Sequence, residues 1–280
     1  MLEMIPILQW AFLACLILTG IHCYLGLHIV SRGVIFVDLA LAQMASLGSA
    51  FAVLLGYELG DQMAFIISLS FTFIGAAIFA LSRAREEKMP QEAIIGIVFA
   101  VTSAMTILIL DRSPHGGEAI KSMLVGGLLY VTPTSILKIF LLYLVIGIFH
   151  YLFRKKFLLI STNIKEAYNQ GLSIRWWDFL FYITFGIVVT ISVEIAGVLL
   201  VFSYFIVPSV CAMLFTDNIL KRLIIGWIIG TIVSIIGLYF SGVWDLPSGA
   251  SIVTVFGIAL ILAVLVRQVL SVNQSKANTT

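Results

Sequence analysis

Charge is what this sequence lacks most. Asp, Glu, Lys and Arg make up 11% of its 280 residues, against roughly a quarter in an ordinary soluble domain. With 61% hydrophobic residues and a mean hydropathy of +1.13, a soluble globular protein is excluded. Cysteine is equally sparse. Cys15, Cys23 and Cys211 are scattered without a CxxC pair, so neither a disulfide framework nor a zinc knuckle is indicated. The N-terminus carries Glu3 and no basic segment, and its apolar run is long enough to span, so no cleavable signal peptide is expected. HExxH, GxSxG and phosphate-cradling glycine loops are missing too. The chain therefore has no ATP site of its own and no catalytic constellation, and it is not expected to be an enzyme.

What is present is a series of apolar runs long enough to cross a bilayer. Met4–Ser31, Val34–Tyr57, Gln62–Leu81, Ala93–Leu110, Ser135–Phe153, Trp176–Val193, Ile195–Thr216, Leu223–Trp244 and Ser248–Val266 give nine spans, or eight if the first does not cross. Leu124–Ser135 reads as a short helix dipping into the membrane. The fold class is all-α and polytopic, with a transmembrane domain over 1–272 and a polar tail over 273–280. Lys and Arg set the orientation. Placing Ser82–Glu92 and Arg154–Arg175 inside also puts Arg32, Lys221, Arg222, Arg267 and Lys276 inside. Arg112, Lys121 and Lys138 are then the only three of the 16 basic residues left on or near the outer side, with the acidic turns at Glu58/Asp61, Asp111/Glu118 and Asp245. The N-terminus is outside and the C-terminus inside if the count is nine.

Arg154–Arg175 is the longest run that cannot be a span. It opens on three consecutive cations and lies between long uncharged segments. Within it Lys165–Gly171 reads as a short helix, with Asn163 placed to cap it and Gly171 to stop it. It is either a solvated loop or a surface offered to a cytoplasmic partner.

Charges inside spans are expensive and therefore functional suspects. Asp38 is the clearest. It is either an interfacial charge paired with Arg32 or a neighbouring helix end, or a ligand in a pathway. Gln43 lies deeper and suits interhelical hydrogen bonding; on a helix it stands about 140° from Asp38. Asp178 reads as an interfacial charge in the first turn of its helix, and Glu194 as the marker of an outer turn. Cys15 and His22 share a face but read as packed residues. His115, beside Gly116 and Gly117, is a loop histidine that an ion or external partner could meet. Gly126–Gly127, Gly197 and the Gly226/Gly230 pair read as close helix-packing sites.

Five stretches together resemble one family: Glu92–Leu110, Leu124–Thr132, Lys165–Gly171, Glu194–Phe215 and Gly237–Val253. The most specific matches are Gly197, Leu199, Leu200 and Pro208, then Asp245, Pro247 and Gly249. The chain resembles the membrane permease subunits of bacterial ATP-binding-cassette importers for zinc, manganese and iron, from about Arg32 to Val266. The resemblance implies a homodimer in the cytoplasmic (inner) membrane, embedded in lipid, with cytoplasmic ATP-binding subunits beneath and an extracytoplasmic metal-binding protein delivering the ion. No nucleic acid partner and no tightly bound cofactor are expected; the divalent metal is the transported substrate. Carried over, Lys165, Glu166, Ala167, Tyr168 and Gly171 form the coupling helix that sits in the ATPase cleft.

One departure matters. Family members carry Asp-Ala-Leu-Ser-His-Ala in the second span, where this chain has Leu39-Ala40-Leu41-Ala42-Gln43-Met44. The Asp position is Leu39, with Asp38 one residue earlier, and the His position is Gln43, a poorer ligand than imidazole. Either Asp38, Gln43 and Met44 form a different, weaker metal site, or the cargo is another divalent metal or a metal chelate. Two other classes compete. An ion-coupled secondary transporter would show an inverted repeat and broken helices with midplane charges. An intramembrane enzyme would need a paired nucleophile and base or a metal triad. Neither pattern is visible.

Overall fold

The computed structural model describes residues 5–58, 61–82, 90–111, 117 and 123–277, and side chains from 8 to 271 within them. Among the described residues all regular structure is helical. The long helices are α1 (Ile5–Arg32), α2 (Val37–Leu54), α3 (Gln62–Ser82), α4 (Gln91–Leu110) and α5 (Pro133–Leu152). Two short ones follow, α6 (Arg154–Thr162) and α7 (Ile164–Asn169), and then α8 (Ile174–Ala196), α9 (Val198–Met213), α10 (Ile219–Trp244) and α11 (Ser248–Ala277). The boundaries have local causes. Gly33 and Gly56 adopt positive φ just beyond α1 and α2. Thr132 accepts the Ser135 amide at 3.2 Å and Pro133 occupies the first turn of α5. Asn218 accepts the Lys221 amide at 3.0 Å to start α10.

Among the described residues eight helices are long and apolar enough to cross a membrane, and α1 is one of them. The short one is α9, with 16 residues, or about 24 Å of rise. Side-chain pairings nevertheless carry α9 from one end of the bundle to the other. Arg32 at the end of α1 bonds Asp178 near the start of α8, so these ends share a level. A Cβ on Gly226 would meet Cys23 and one on Gly230 would meet Thr19, so α10 runs antiparallel to α1 and also starts at that level. At the opposite end a Cβ on Gly249 would press on Val125 and Ala196, which places the end of α8 beside the start of α11. Between these levels, Tyr204 bonds Ser234 and the Pro208 carbonyl lies by Gly226. Helix α9 therefore runs between the two ends of the bundle, the arrangement that a ninth crossing requires.

Leu128–Tyr130 is a single 3-10 turn, too short to cross. Helix α11 continues through Ala277, taking in most of the stretch read as a polar tail.

The helices sort into two groups. α2 packs on α3 and α4, α1 packs on α9 and α10, and α10 on α11; α8 bridges the two through α3 and α2 on one side and α9 on the other. Burial follows this plan. In α1 and α2, 67% of the spanning window is buried, in α4 and α11 only 22%. The rim helices present their apolar side chains to lipid, as expected where the solvent is hydrocarbon.

Candidate functional site

The charges converge on the end of the bundle where α1 stops and α2, α4, α6, α8 and α10 begin. Arg32 Nη1 donates to Asp178 at 2.8 Å, with both side chains fully buried. Arg32 Nε donates to Ser161 Oγ on α6, also at 2.8 Å, and the guanidinium lies 3.9 Å over the Phe181 ring. Asp178, in the opening turns of α8, is thus not a lone charge. It is the counter-ion of Arg32 and locks α1, α6 and α8 together.

That pairing decides the position of Asp38. Its side chain is 2% exposed, and its carboxylate finds no side-chain partner, only backbone N–H groups of its own turn. The ion pair with Arg32 that would have made Asp38 ordinary is taken by Asp178. Close by, Glu92 Oε1 accepts the Phe36 amide at 3.1 Å while its Oε2 is buried and unpartnered. Two carboxylates short of donors therefore stand where α2 and α4 begin. Buried anionic oxygens short of donors are costly, and a cation is the chemistry that satisfies them.

Gln43 and Met44 do not join Asp38 on one face. Helix α2 is unbroken from Val37 to Leu54, so Asp38, Gln43 and Met44 fan around it at about 100° per residue. Met44 is 5% exposed and lies against the Cα of Gly75 on α3, where a Cβ would sit 2.9 Å from its Cγ. Gln43 is half-buried. Among the described residues no three His, Cys, Asp or Glu side chains form a metal-holding group.

The segment 154–175 is more structured than its composition suggested. Phe157, Ile160 and Ser161 are buried along one stripe of α6, the i, i+3, i+4 spacing of an amphipathic helix. Helix α7 follows at once. Asn163 Oδ1 accepts the Glu166 amide at 3.1 Å, and the end is closed by Gly171 at φ +70° with the Leu172 amide donating to Ala167 O at 3.1 Å. Ala167 is fully buried, whereas Lys165, Asn169 and Gln170 are exposed. The helix is seated by Ala167 with Ile164 and Tyr168 packed beside it, and it offers Lys165, Asn169 and Gln170 at the surface.

At the outer end, motif residues meet. Gly126 and Gly197 both have positive φ, and a side chain on either would collide with the backbone of the other's segment; the Gly127 amide donates to Ile195 O at 2.9 Å. Gly249 completes the contact against Val125 O. Asp245 takes the left-handed conformation, φ 53°, as the residue ending α10, and Ser241 Oγ donates to Leu246 O at 2.7 Å. Pro247 and Gly249 then open α11. Pro208 lies inside α9. Gly197, Asp245, Pro247 and Gly249 thus mark helix ends, and Pro208 lies within a helix. Gly226 and Gly230 pack on α1 as their spacing predicts, and Glu194 lies in the last turn of α8.

Sequence reasoning missed the aromatic-histidine layer above the Arg32 pair. His28 bonds Ser161 at 2.8 Å, and His150 bonds Thr184 at 2.8 Å and stacks on Phe157. No motif links these positions, although His28 and His150 both fall near the inner ends of apolar helices. His22 bonds Leu18 O and packs on Phe205, and Cys15 is buried, both as packed residues. His115, Gly116 and residues 83–89 lie outside the described residues.

Comparison with known proteins agrees with this architecture. A manganese transport system membrane protein of Halalkalibacterium halodurans is 30% identical over 271 residues, covering 91% of this chain and 86% of that protein. A protein of the same description from Listeria monocytogenes is 28% identical, covering 95% and 94%. The solved structure of PsaBC from Streptococcus pneumoniae in complex with Fab superposes with a TM-score of 0.77 at 20% identity, covering 94% of this chain and 92% of that one; at that identity it speaks to the fold. The profile of the ABC 3 transport family matches residues 4–267. The chain belongs to the ABC 3 transport family.

Proposed function

We propose that this chain is the membrane permease of an ATP-driven importer for a divalent transition metal ion, working as a homodimer with separate ATP-binding subunits and an external metal-binding protein. Family membership supports the permease role, and the names of the manganese-transporting relatives support the class of cargo. The observation that carries the metal reading is Asp38, a buried carboxylate without a side-chain partner or counter-ion at the inner end of α2. A buried carboxylate without a counter-ion is satisfied by a proton or by an arriving cation, and one carboxylate without a partnering imidazole gives a weak, transient contact. Weak contact suits passage, with affinity residing in the delivering protein. Gln43, half-buried and deeper along α2, is a further contact, whereas Met44 is taken up in packing against Gly75 of α3.

Helix α7 supports the partner assignment. Its exposed residues project from the end of the bundle that carries the basic segment, the cytoplasmic end by the distribution of Lys and Arg. ATP hydrolysis belongs to the subunit that would seat this helix, since no phosphate-cradling loop occurs in the chain.

The test is uptake of manganese, iron, zinc and cobalt in cells co-expressing the chain with its ATP-binding and metal-binding partners. Asp38→Asn is expected to reduce uptake of the preferred ion at least about tenfold, the equivalent of ~1.4 kcal/mol of lost contact. Undiminished uptake in that variant would remove Asp38 from the pathway. Uptake that persists without the ATP-binding subunit would replace the importer with a secondary transporter.

A further inference from the structure

A groove of about 970 Å³ runs along α1 between α5, α6 and α10. Its walls are apolar, built by Ile17, Leu144, Ile148 and Trp227, and its floor includes Gly20 and Gly147. A side chain at either glycine would meet nothing within 4 Å, so the floor is open space. Leu144 and Ile148 are about half exposed. From Ser31 to Leu16 the groove follows fifteen residues of α1, roughly 22 Å. That exceeds half of the ~30 Å hydrocarbon core, the reach of one leaflet.

The inner end is chemically different. It is lined by Arg154, Arg222, Tyr24 and His28. Arg154 opens α6 and is held by the Tyr151 carbonyl at 2.9 Å, with its guanidinium 4.2 Å over the Tyr151 ring. Arg222, in the first turn of α10, donates to Thr216 O and to Asp217, each at 2.6 Å. Asp217 is fully exposed, so this pair is weak and open to exchange. The Tyr24 hydroxyl and His28 Nε2 are buried with no partner. His28 is 2% exposed, and a buried polar atom left without a bond calls for a ligand or water.

We propose that this groove is a binding site for an anionic phospholipid of the inner leaflet. Arg154 and Arg222 hold the phosphate, Tyr24 and His28 meet the headgroup or ester oxygens, and one acyl chain lies over Gly147 and Gly20 toward Ile17. Guanidinium pairs suit phosphate oxygens geometrically, and basic pockets between helices at the cytoplasmic side recur as sites for anionic headgroups. Charge argues against a second copy of the chain as the occupant. In a two-fold dimer whose axis stands along the membrane normal, both groove mouths lie at one depth and would bring arginines toward arginines. Because Arg154 is the first residue of α6, the lipid would touch the segment that leads into α7. The proposal does not depend on which ion is carried.

The test is native mass spectrometry of the full-length chain, released from detergent after incubation with dioleoyl-phosphatidylglycerol or dioleoyl-phosphatidylcholine. Phosphatidylglycerol is expected to be retained and phosphatidylcholine lost. The double variant Arg154→Gln with Arg222→Gln should lower phosphatidylglycerol retention about tenfold or more, the scale of lost charge-assisted bonds. Gly147→Leu, which fills the floor without a clash, should abolish retention while leaving thermal melting unchanged. Equal retention of both lipids, or retention indifferent to both variants, overturns the proposal. So does a disulfide between two copies of an Ile148→Cys variant in the membrane, which would assign the groove to a second copy.

Discussion

Arg32 and Asp178 sit 146 positions apart and neutralise each other where water is excluded. Removing one partner leaves the other charge buried and uncompensated, whereas replacing both with apolar residues leaves nothing to compensate. Asp178→Ala is therefore expected to destabilise the chain by about 3–5 kcal/mol. The double change Arg32→Met with Asp178→Leu should melt near the parent temperature in detergent. If both variants melt alike, the pair is not the tether described. Asp38 predicts the opposite pattern: Asp38→Asn removes an unpaired charge, so stability should not fall while transport does. At this scale the sequence allowed the suspects to be named but not their partners. Arg32 and Asp38 are six residues apart and looked like a pair; long-range geometry gave Arg32 to Asp178 instead. A buried ion pair between distant helices leaves no local pattern, and the bonds of His28 and His150 are invisible for the same reason.

Among elements, α7 was legible because its cap and stop are chemical signals three to eight residues apart, and both Asn163 and Gly171 act as their residue types dictate. Helix α6 escaped notice because its cationic opening masked the stripe of Phe157, Ile160 and Ser161 behind it. Two predictions belong here. Asn163→Ala should cost about 1 kcal/mol of local stability, read as faster amide exchange at Glu166. Lys165→Glu should leave melting unchanged and weaken co-purification of the ATP-binding subunit; undisturbed co-purification would move the docking surface off α7. At the outer end, Gly126→Ala would drive a methyl into the peptide joining Ala196 and Gly197 while straining a positive φ. A loss of ~2 kcal/mol or more in stability is expected, measured as a lowered melting temperature.

For the molecule as a whole, hydropathy carried the all-α fold and the order of the long apolar helices, since the bilayer punishes every unsatisfied backbone group and leaves helices as the solution. What composition could not supply was how the helices sort into rim and centre. The rim helix α4 and the central helix α2 are both apolar, and only packing separates them. The nine-crossing arrangement predicts opposite labelling of single cysteines at Ser248 and Asn169: a membrane-impermeant thiol reagent added outside intact cells should reach the first and not the second. The native cysteines are buried and should stay silent. Labelling of both from outside would break the assigned topology.

The brevity of α9 has a consequence for the host membrane. Sixteen residues would leave a solitary span several ångströms short of the hydrocarbon thickness, and lipids around it would have to thin. Here α9 is wrapped by α1, α8, α10 and α11, with Tyr204, Phe205 and Pro208 shut away from the surroundings. The mismatch is absorbed by protein neighbours, and the bilayer meets only the longer rim helices. Membrane thickness should therefore act on the transporter through its perimeter, leaving the short central rod with its proline free to shift without dragging lipid along.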